Sequence, residues 1–212
     1  MSDVLASLEK LRLVPVIEID REQDAVPLAR ALVEGGLPVA EVTFRTAAAE
    51  GSLRAMGAVK EILAGAGTIT TVEEAKRALG AGAKFIVSPG LAPAVVKFAQ
   101  ENKIPIFPGV ATPTEIMAAL DLGAKVLKFF PAEALGGVKT LKAFSGPFGA
   151  ARFIPTGGIS TANLKDYLSM PKVVAVGGSW MVKPELLRAG NFAEVTKLAR
   201  EAVELARAAR PS

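Results

Sequence analysis

Residues 119–131 read Ala-Leu-Asp-Leu-Gly-Ala-Lys-Val-Leu-Lys-Phe-Phe-Pro: the end of a helical segment, a glycine stop and a short apolar run. The same junction recurs at Ala31-Leu32 with Gly35-Gly36, and at Ala78-Leu79 with Gly82-Ala83. Glycine permits the left-handed turn that ends a helix, and an apolar run after such a turn is typical of a buried strand. The repeat therefore predicts that helices and strands alternate along the chain.

Eight short apolar runs, rich in β-branched residues, are candidate strands. They are Leu13 to Ile17, Val39 to Phe44, Ile62 to Gly65, Phe85 to Val87, Ile104 to Phe107, Val126 to Phe130, Arg152 to Pro155 and Val173 to Val176. Segments with helical spacing lie between them. Several of these segments open with capping signals, namely Thr71 with Glu74, Thr112 with Pro113 and Glu115, and Asn191 with Glu194.

Eight strand–helix units in 212 residues fit a (β/α)8 barrel, the TIM barrel, better than a doubly wound sheet, which normally uses fewer strands. We therefore predict an α/β fold, a (β/α)8 TIM barrel, as one domain over residues 1–212. Val4, Leu5, Leu8 and Leu11 recur at helical spacing before the first strand. They predict an extra N-terminal helix, placed to cover the bottom of the barrel.

The composition excludes several classes of chemistry. The chain has no Cys and no His, which excludes thiol nucleophiles, imidazole bases, disulfides and most zinc or copper sites. Its net charge of +4 is spread along the sequence, and one Trp and one Tyr leave few rings for base stacking, so we expect no nucleic acid. No apolar run approaches the roughly 20 residues that span a bilayer. We expect no membrane partner, a cytoplasmic location and small anionic ligands.

Lys128 is the first candidate for chemistry, because a barrel collects its active site at the C-terminal ends of its strands. Alternation places its side chain on the face opposite Leu127 and Phe129. If that face is the barrel interior, burial disfavours the ammonium and leaves an amine able to attack a ketone, as imine-forming lysines do. The alternative is a structural lysine whose stem covers apolar surface at a strand end.

The second candidate strand carries three polar side chains, Glu41, Thr43 and Arg45, on one face. Glu41 is suited to proton transfer and Arg45 to binding a carboxylate. The alternative is a structural Glu–Arg pair, but a bare buried ion pair is an expensive way to gain stability.

Two glycine turns are predicted after the last two strands, at Pro155-Thr156-Gly157-Gly158-Ile159 and at Gly177-Gly178-Ser179. Barrels often bind phosphate there, because glycine lets backbone N–H groups approach the anion closely. The alternative is a pair of ordinary left-handed turns. Gly65-Ala66-Gly67-Thr68 and Ser88-Pro89-Gly90 add hydroxyls and amides at the same rim, although each alone is more often merely a turn.

Taken together and in this order, these motifs resemble the class I 2-keto-3-deoxy-6-phosphogluconate (KDPG) aldolases, which also act as 4-hydroxy-2-oxoglutarate (KHG) aldolases. The resemblance runs through nearly the whole chain. It is carried by Glu41-Val42-Thr43-Phe44-Arg45-Thr46, Gly65-Ala66-Gly67-Thr68, Ser88-Pro89-Gly90, Lys128-Phe129-Phe130-Pro131-Ala132-Glu133, Pro155-Thr156-Gly157-Gly158-Ile159 and Gly177-Gly178-Ser179-Trp180.

The resemblance implies a role for each of these side chains. Lys128 would be the Schiff-base lysine and Glu41 the acid and base that moves protons through water. The substrate-binding residues would be Arg45 and Thr68 for the pyruvyl carboxylate, Phe130 and Pro89 as walls of the imine, and Thr156, Gly157, Gly158 and Ser179 for the phosphate. The resemblance also implies a homotrimer.

The function that follows is reversible cleavage of KDPG to pyruvate and glyceraldehyde 3-phosphate, a reaction of the Entner–Doudoroff pathway, and/or of KHG to pyruvate and glyoxylate. The iminium would be the electron sink, so we expect no metal and no cofactor. The alternatives are a 2-keto-3-deoxy-6-phosphogalactonate aldolase, a phosphate-binding barrel isomerase or epimerase, and a barrel kept as a non-enzymatic binding module. At position 18, where this chain has Glu18, some relatives carry a basic or apolar residue. The negative charge of Glu18 would repel an anionic substrate tail.

Overall fold

The computed structural model describes residues 2–209, in which α-helices alternate with short strands. The strands are β1 (Leu13–Ile17), β2 (Val39–Thr43), β3 (Leu63–Gly67), β4 (Ile86–Val87), β5 (Ile106–Phe107), β6 (Gly109–Val110), β7 (Val126–Phe129), β8 (Arg152–Pro155) and β9 (Val176–Gly178). The helices are α1 (Ser2–Leu11), α2 (Ala25–Glu34), α3 (Ala49–Met56), α4 (Val72–Gly80), α5 (Pro93–Glu101), α6 (Pro113–Asp121), α7 (Gly137–Ser145), α8 (Leu164–Leu168), α9 (Pro184–Arg188) and α10 (Phe192–Ala209). Met1 and residues 210–212, which the predicted domain includes, lie outside the described residues.

The paired strands run parallel, in the orders β5-β4-β3-β2-β1-β9 and β6-β7-β8. Only Pro108 separates β5 from β6, and one bridge joins Thr156, just after β8, to Gly177 of β9. The α/β class with a parallel sheet is therefore confirmed. Thr43 at the end of β2, and Phe130 and Thr156 just after β7 and β8, line one cavity, so the C-terminal ends of these strands meet at a common rim.

The sequence predicted one strand from Ile104 to Phe107, whereas the chain forms β5 and then β6 beyond it. Proline has no N–H to donate to a ladder, so Pro108 interrupts the regular pairing. Its carbonyl still accepts a hydrogen bond from the Lys128 backbone N–H at 2.8 Å. This bond keeps β7 aligned with the chain on both sides of Pro108.

The prediction for the last strand was also wrong in position. Gly177 and Gly178 were expected in a turn after Val173 to Val176, but they belong to β9 and pair with Val14 and Pro15 of β1. A side chain on Gly177 would place its Cβ 2.2 Å from Thr156 Oγ1. This position in the strand therefore has to be glycine, which an apolar-pattern argument does not detect. The third strand likewise continues past its predicted end at Gly65, so that Gly67 lies inside β3 rather than after it.

The helix starts predicted from capping signals are confirmed. Thr71 with Glu74 and Thr112 with Glu115 form reciprocal capping boxes at α4 and α6. At the start of α10, the N–H of Glu194 in the first turn donates to Oδ1 of Asn191, the residue before the helix, at 3.2 Å. A side-chain cap is typically worth about 1 kcal/mol, so these contacts help to fix where the helices begin.

The interior is apolar below the rim. Leu8 of α1 is fully buried and, with Phe85 and Phe107, lines a small space beneath the side chains of Glu41 and Lys128.

Within residues 2–209, helices long and apolar enough to span a bilayer are absent.

Candidate active site

A cavity of about 260 Å³ opens at the C-terminal ends of the strands. Most of the predicted site residues line it, namely Arg45, Lys128, Phe130, Thr156, Gly157, Gly158 and Ser179. Sequence reasoning missed the hydrocarbon walls contributed by Ile17, Ile159, Val182 and Pro184. Their only signal was apolarity, which is equally typical of a core position.

Lys128 and Glu41 form a buried pair at the base of the cavity. The residues are 5% and 3% exposed, and Lys128 Nζ donates a hydrogen bond to Glu41 Oε1 at 3.2 Å. Lys128 Nζ also lies 5.2 Å from the centre of the Phe130 ring. Both faces of β7 are buried, since Leu127 and Phe129 on the opposite face are fully buried, and the face of Lys128 is the one that meets the cavity. The arrangement places a nucleophilic nitrogen beside a carboxylate that can accept its proton.

Glycine on the neighbouring strand makes room for the Glu41 carboxylate. Thr43 of β2 is in register with Gly67 of β3. A Cβ at position 67 would lie 2.3 Å from Glu41 Oε1 and 2.6 Å from its Cγ. Such distances are well inside van der Waals contact, so any larger residue at position 67 would displace the carboxylate.

We expect Gly67→Ala to impair turnover by moving Glu41 away from Lys128. The added methyl group should destabilise the fold by about 1–3 kcal/mol, the usual range for overpacking. Steady-state kinetics measures the loss of turnover and thermal unfolding measures the loss of stability. Gly80→Ala is the matched control, because a Cβ on Gly80, in α4, meets nothing within 4 Å. Wild-type turnover in Gly67→Ala would contradict this account of Glu41.

Arg45 lies at the mouth of the cavity, with Thr68 beside it. Its Nε donates to Thr68 Oγ1 at 3.3 Å, and its Nη1 lies 3.8 Å from Glu18 Oε2. The Arg45 and Glu18 side chains are 48% and 39% exposed, so this ion pair is weak and exchangeable. An incoming carboxylate can replace Glu18 on the guanidinium, whose planar donors suit that geometry.

The remaining predicted residues lie near the cavity in different ways. Thr68 is held by Arg45, and Glu41 lies beneath Lys128. Thr43 donates its hydroxyl to the Ile17 carbonyl at 2.8 Å and lines the wall. Pro89 is half-buried and, in the part of the chain that the structure describes, is not among the lining residues.

The turn after β8 has the geometry of an anion site. Gly157 and Gly158 have φ values of +102° and +76°, which glycine adopts without strain. Among residues 2–209, the backbone N–H groups of Gly157, Gly158 and Ile159 donate to no other backbone group. Three unpaired donors on a cavity wall can bind phosphate or carboxylate oxygens.

The chain is similar to known aldolases over most of its length. The family model for KDPG and KHG aldolase matches residues 4–198. A KHG/KDPG aldolase of Escherichia coli (strain K12) is 50% identical over 192 residues, which cover 90% of each chain.

Two solved structures are similar in fold, each at TM-score 0.89 and 41% identity. One is the KDPG aldolase of Zymomonas mobilis ZM4 with 3-phosphoglycerate, and the match covers 96% of this chain and 96% of that one. The other is the KDPG aldolase of Legionella pneumophila with pyruvate captured as a covalent carbinolamine intermediate. The match covers 93% of this chain and 96% of that one.

Proposed function

From the premise that the chain belongs to the KDPG and KHG aldolase family, we propose that it is a class I aldolase acting through an imine on Lys128. Its substrates are KDPG, cleaved to pyruvate and glyceraldehyde 3-phosphate, and KHG, cleaved to pyruvate and glyoxylate. The observation that carries the proposal is the buried amine 3.2 Å from a buried carboxylate. The carbinolamine in the Legionella pneumophila structure is further support.

The reaction begins when Lys128 Nζ attacks the C2 carbonyl of the keto acid. The carbinolamine loses its hydroxyl as water and leaves a cationic iminium. Glu41 is placed to take the proton that the attacking nitrogen releases and to return it to the departing oxygen. The apolar side chains of Leu8, Phe85 and Phe107 shield the nitrogen from water on the side away from the cavity.

Cleavage uses the iminium as its electron sink. Glu41 removes the proton of the C4 hydroxyl, the C3–C4 bond breaks, and its electron pair forms an enamine while C4 becomes the aldehyde carbon. Glu41 then returns the proton to C3, which regenerates an iminium. Water hydrolyses this iminium to pyruvate and free Lys128.

The two ends of the substrate are held on opposite walls. Arg45, with Thr68, binds the carboxylate next to the ketone and loses Glu18 as its partner. Thr156, Gly157, Gly158 and Ser179 bind the phosphate through backbone N–H groups and hydroxyls. Phe130, whose ring centre lies 5.2 Å from Lys128 Nζ, is one wall of the imine.

The same proposal extends to the architecture. The break at Pro108 and the bridge between Thr156 and Gly177 support closure of the strands into one (β/α)8 barrel over residues 1–212. The buried Leu8 supports α1 as the cover of its bottom. The family resemblance supports a homotrimer. A phosphorylated sugar acid is too strongly charged to leave the cell that makes it, which supports a cytoplasmic location.

Pyruvate release tests the function. We expect the enzyme to release pyruvate from KDPG and from KHG more rapidly than from 2-keto-3-deoxy-6-phosphogalactonate, and EDTA to leave the rates unchanged. A lactate dehydrogenase-coupled assay measures all three. Preference for the galactonate would instead favour that aldolase, and conversion of sugar phosphates without pyruvate would favour an isomerase or epimerase. Saturable binding without turnover would favour a binding module.

A further inference from the structure

A hydrogen bond behind the glycine turn connects two residues to which the mechanism gives no role. The hydroxyl of Tyr167, in α8, donates to Glu133 Oε1. Tyr167 is fully buried, and burial together with the bond to Glu133 raises the pKa of its hydroxyl. The hydroxyl therefore remains a donor at neutral pH, and Glu133 is its partner.

Glu133 lies directly against the turn. A Cβ on Gly158 would lie 2.6 Å from Glu133 Cβ and 2.8 Å from its Cγ, so the Glu133 stem covers the back of that glycine. The Glu133 carboxylate then passes Gly137 to reach Tyr167, since a Cβ on Gly137 would lie 2.6 Å from Glu133 Oε1. Glycine at 158 and 137 makes room for this one side chain.

The carbonyl oxygens of Thr156, Gly157 and Gly158 in the turn all accept hydrogen bonds. The Ala132 and Glu133 N–H groups donate to the carbonyls of Thr156 and Gly157 at 2.8 and 3.1 Å. Asn163 Nδ2 donates to the Gly158 carbonyl at 3.2 Å. In a trans peptide the N–H points opposite to the C=O, so these bonds fix the direction of the N–H groups that follow them in the chain.

These are the N–H groups of Gly157, Gly158 and Ile159, and none of them donates to a backbone group within residues 2–209. Glu133 thus holds the turn twice, by its backbone N–H and by its stem. It also follows Lys128 by five residues, so one segment positions both the amine and the anion turn.

We propose that Tyr167 and Glu133 are positioning residues that aim the Gly157–Gly158 N–H groups at the phosphate, and so set the affinity for phosphorylated substrates. The inference rests on the proposed function, because it takes the turn to be the phosphate site. It assigns no role in bond cleavage to either residue.

The test compares substrates with and without the phosphate. Tyr167→Phe keeps the buried ring and removes the hydroxyl that orients Glu133. We expect KM for KDPG to rise about three- to tenfold, the size of effect that loss of one typical protein hydrogen bond produces, with kcat nearly unchanged. KM for KHG, and the rate at which borohydride traps pyruvate on Lys128, should stay near the wild-type values. The inhibition constant of inorganic phosphate should rise in parallel with KM for KDPG.

Glu133→Gln is the conservative variant, because its amide oxygen still accepts from Tyr167, and it should shift KM for KDPG less than Glu133→Ala does. Glu133→Ala also serves if Tyr167→Phe does not fold, since Glu133 is exposed and its loss empties no core space. Equal effects on phosphorylated and unphosphorylated substrates, or none, would overturn the inference. Failure of the wild-type enzyme to release pyruvate would instead overturn the proposed function.

Discussion

Replacing Lys128 by methionine is expected to lower kcat for KDPG cleavage by more than about 10,000-fold, beyond what loss of a general acid or base alone produces. Methionine retains the apolar stem but offers no nitrogen to form the iminium, and without that electron sink the C3–C4 bond has no acceptor for its electrons. Pyruvate and borohydride should label the wild-type enzyme with one pyruvyl unit on Lys128, located by peptide mass spectrometry. The variant should remain unlabelled.

The control for this experiment is Lys125→Met, which changes an exposed lysine three residues earlier in the chain. It should retain both turnover and labelling. Removing one partner of a buried ion pair can cost about 3–5 kcal/mol, so thermal unfolding must show that Lys128→Met is folded. Turnover in a folded Lys128→Met, or a pyruvyl label on a different lysine, would exclude the imine mechanism at this position.

Glu41→Gln is expected to reduce kcat by roughly 100- to 10,000-fold, the usual contribution of general acid–base catalysis. The amide has nearly the shape of the carboxylate and fits over Gly67, but it can neither accept the C4 hydroxyl proton nor return it to C3. Borohydride trapping at long incubation should still label Lys128. Rapid-quench or coupled-assay kinetics would therefore separate slow proton transfer from lost imine formation.

The control for Glu41→Gln is the same substitution at an exposed carboxylate. Glu73→Gln alters a side chain that is 75% exposed, in the first turn of α4, and should leave kcat unchanged. If Glu41→Gln retained the wild-type kcat, the proton acceptor would have to be another group, and Glu41 would be only the counter-ion of Lys128.

The parts of the fold that follow from local pattern were predicted well. β1 and β8 have the predicted ends, because each is a short and mostly apolar segment that is too brief to be a helix. The capping boxes at Thr71 and Thr112 were predictable because the motif depends on residues three apart in sequence. Alternation placed Lys128 opposite Leu127 and Phe129, but its burial could not be deduced from alternation, because both faces of β7 are covered.

Features that depend on contacts distant in sequence were not predicted. Gly177 of β9 has no room for a side chain because Thr156, just after β8, lies against it, and Gly178 has none because the Trp180 ring does; no periodicity records these approaches. The ion pair of Arg45 with Glu18 joins β1 to the end of β2 across the mouth. The bond from Tyr167 to Glu133 joins residues 34 positions apart.

The charged side chains around the reaction centre are matched in number. Arg45 and Lys128 face Glu18 and Glu41, so their formal charges sum to zero. Such a set of charges has almost no field beyond a Debye length of roughly 8 Å at physiological ionic strength. An anionic substrate is therefore not drawn in from solution as it would be by a uniformly positive funnel. These four side chains should therefore add little salt dependence to the encounter rate, and they select only after contact, when one carboxylate takes the place of another on Arg45.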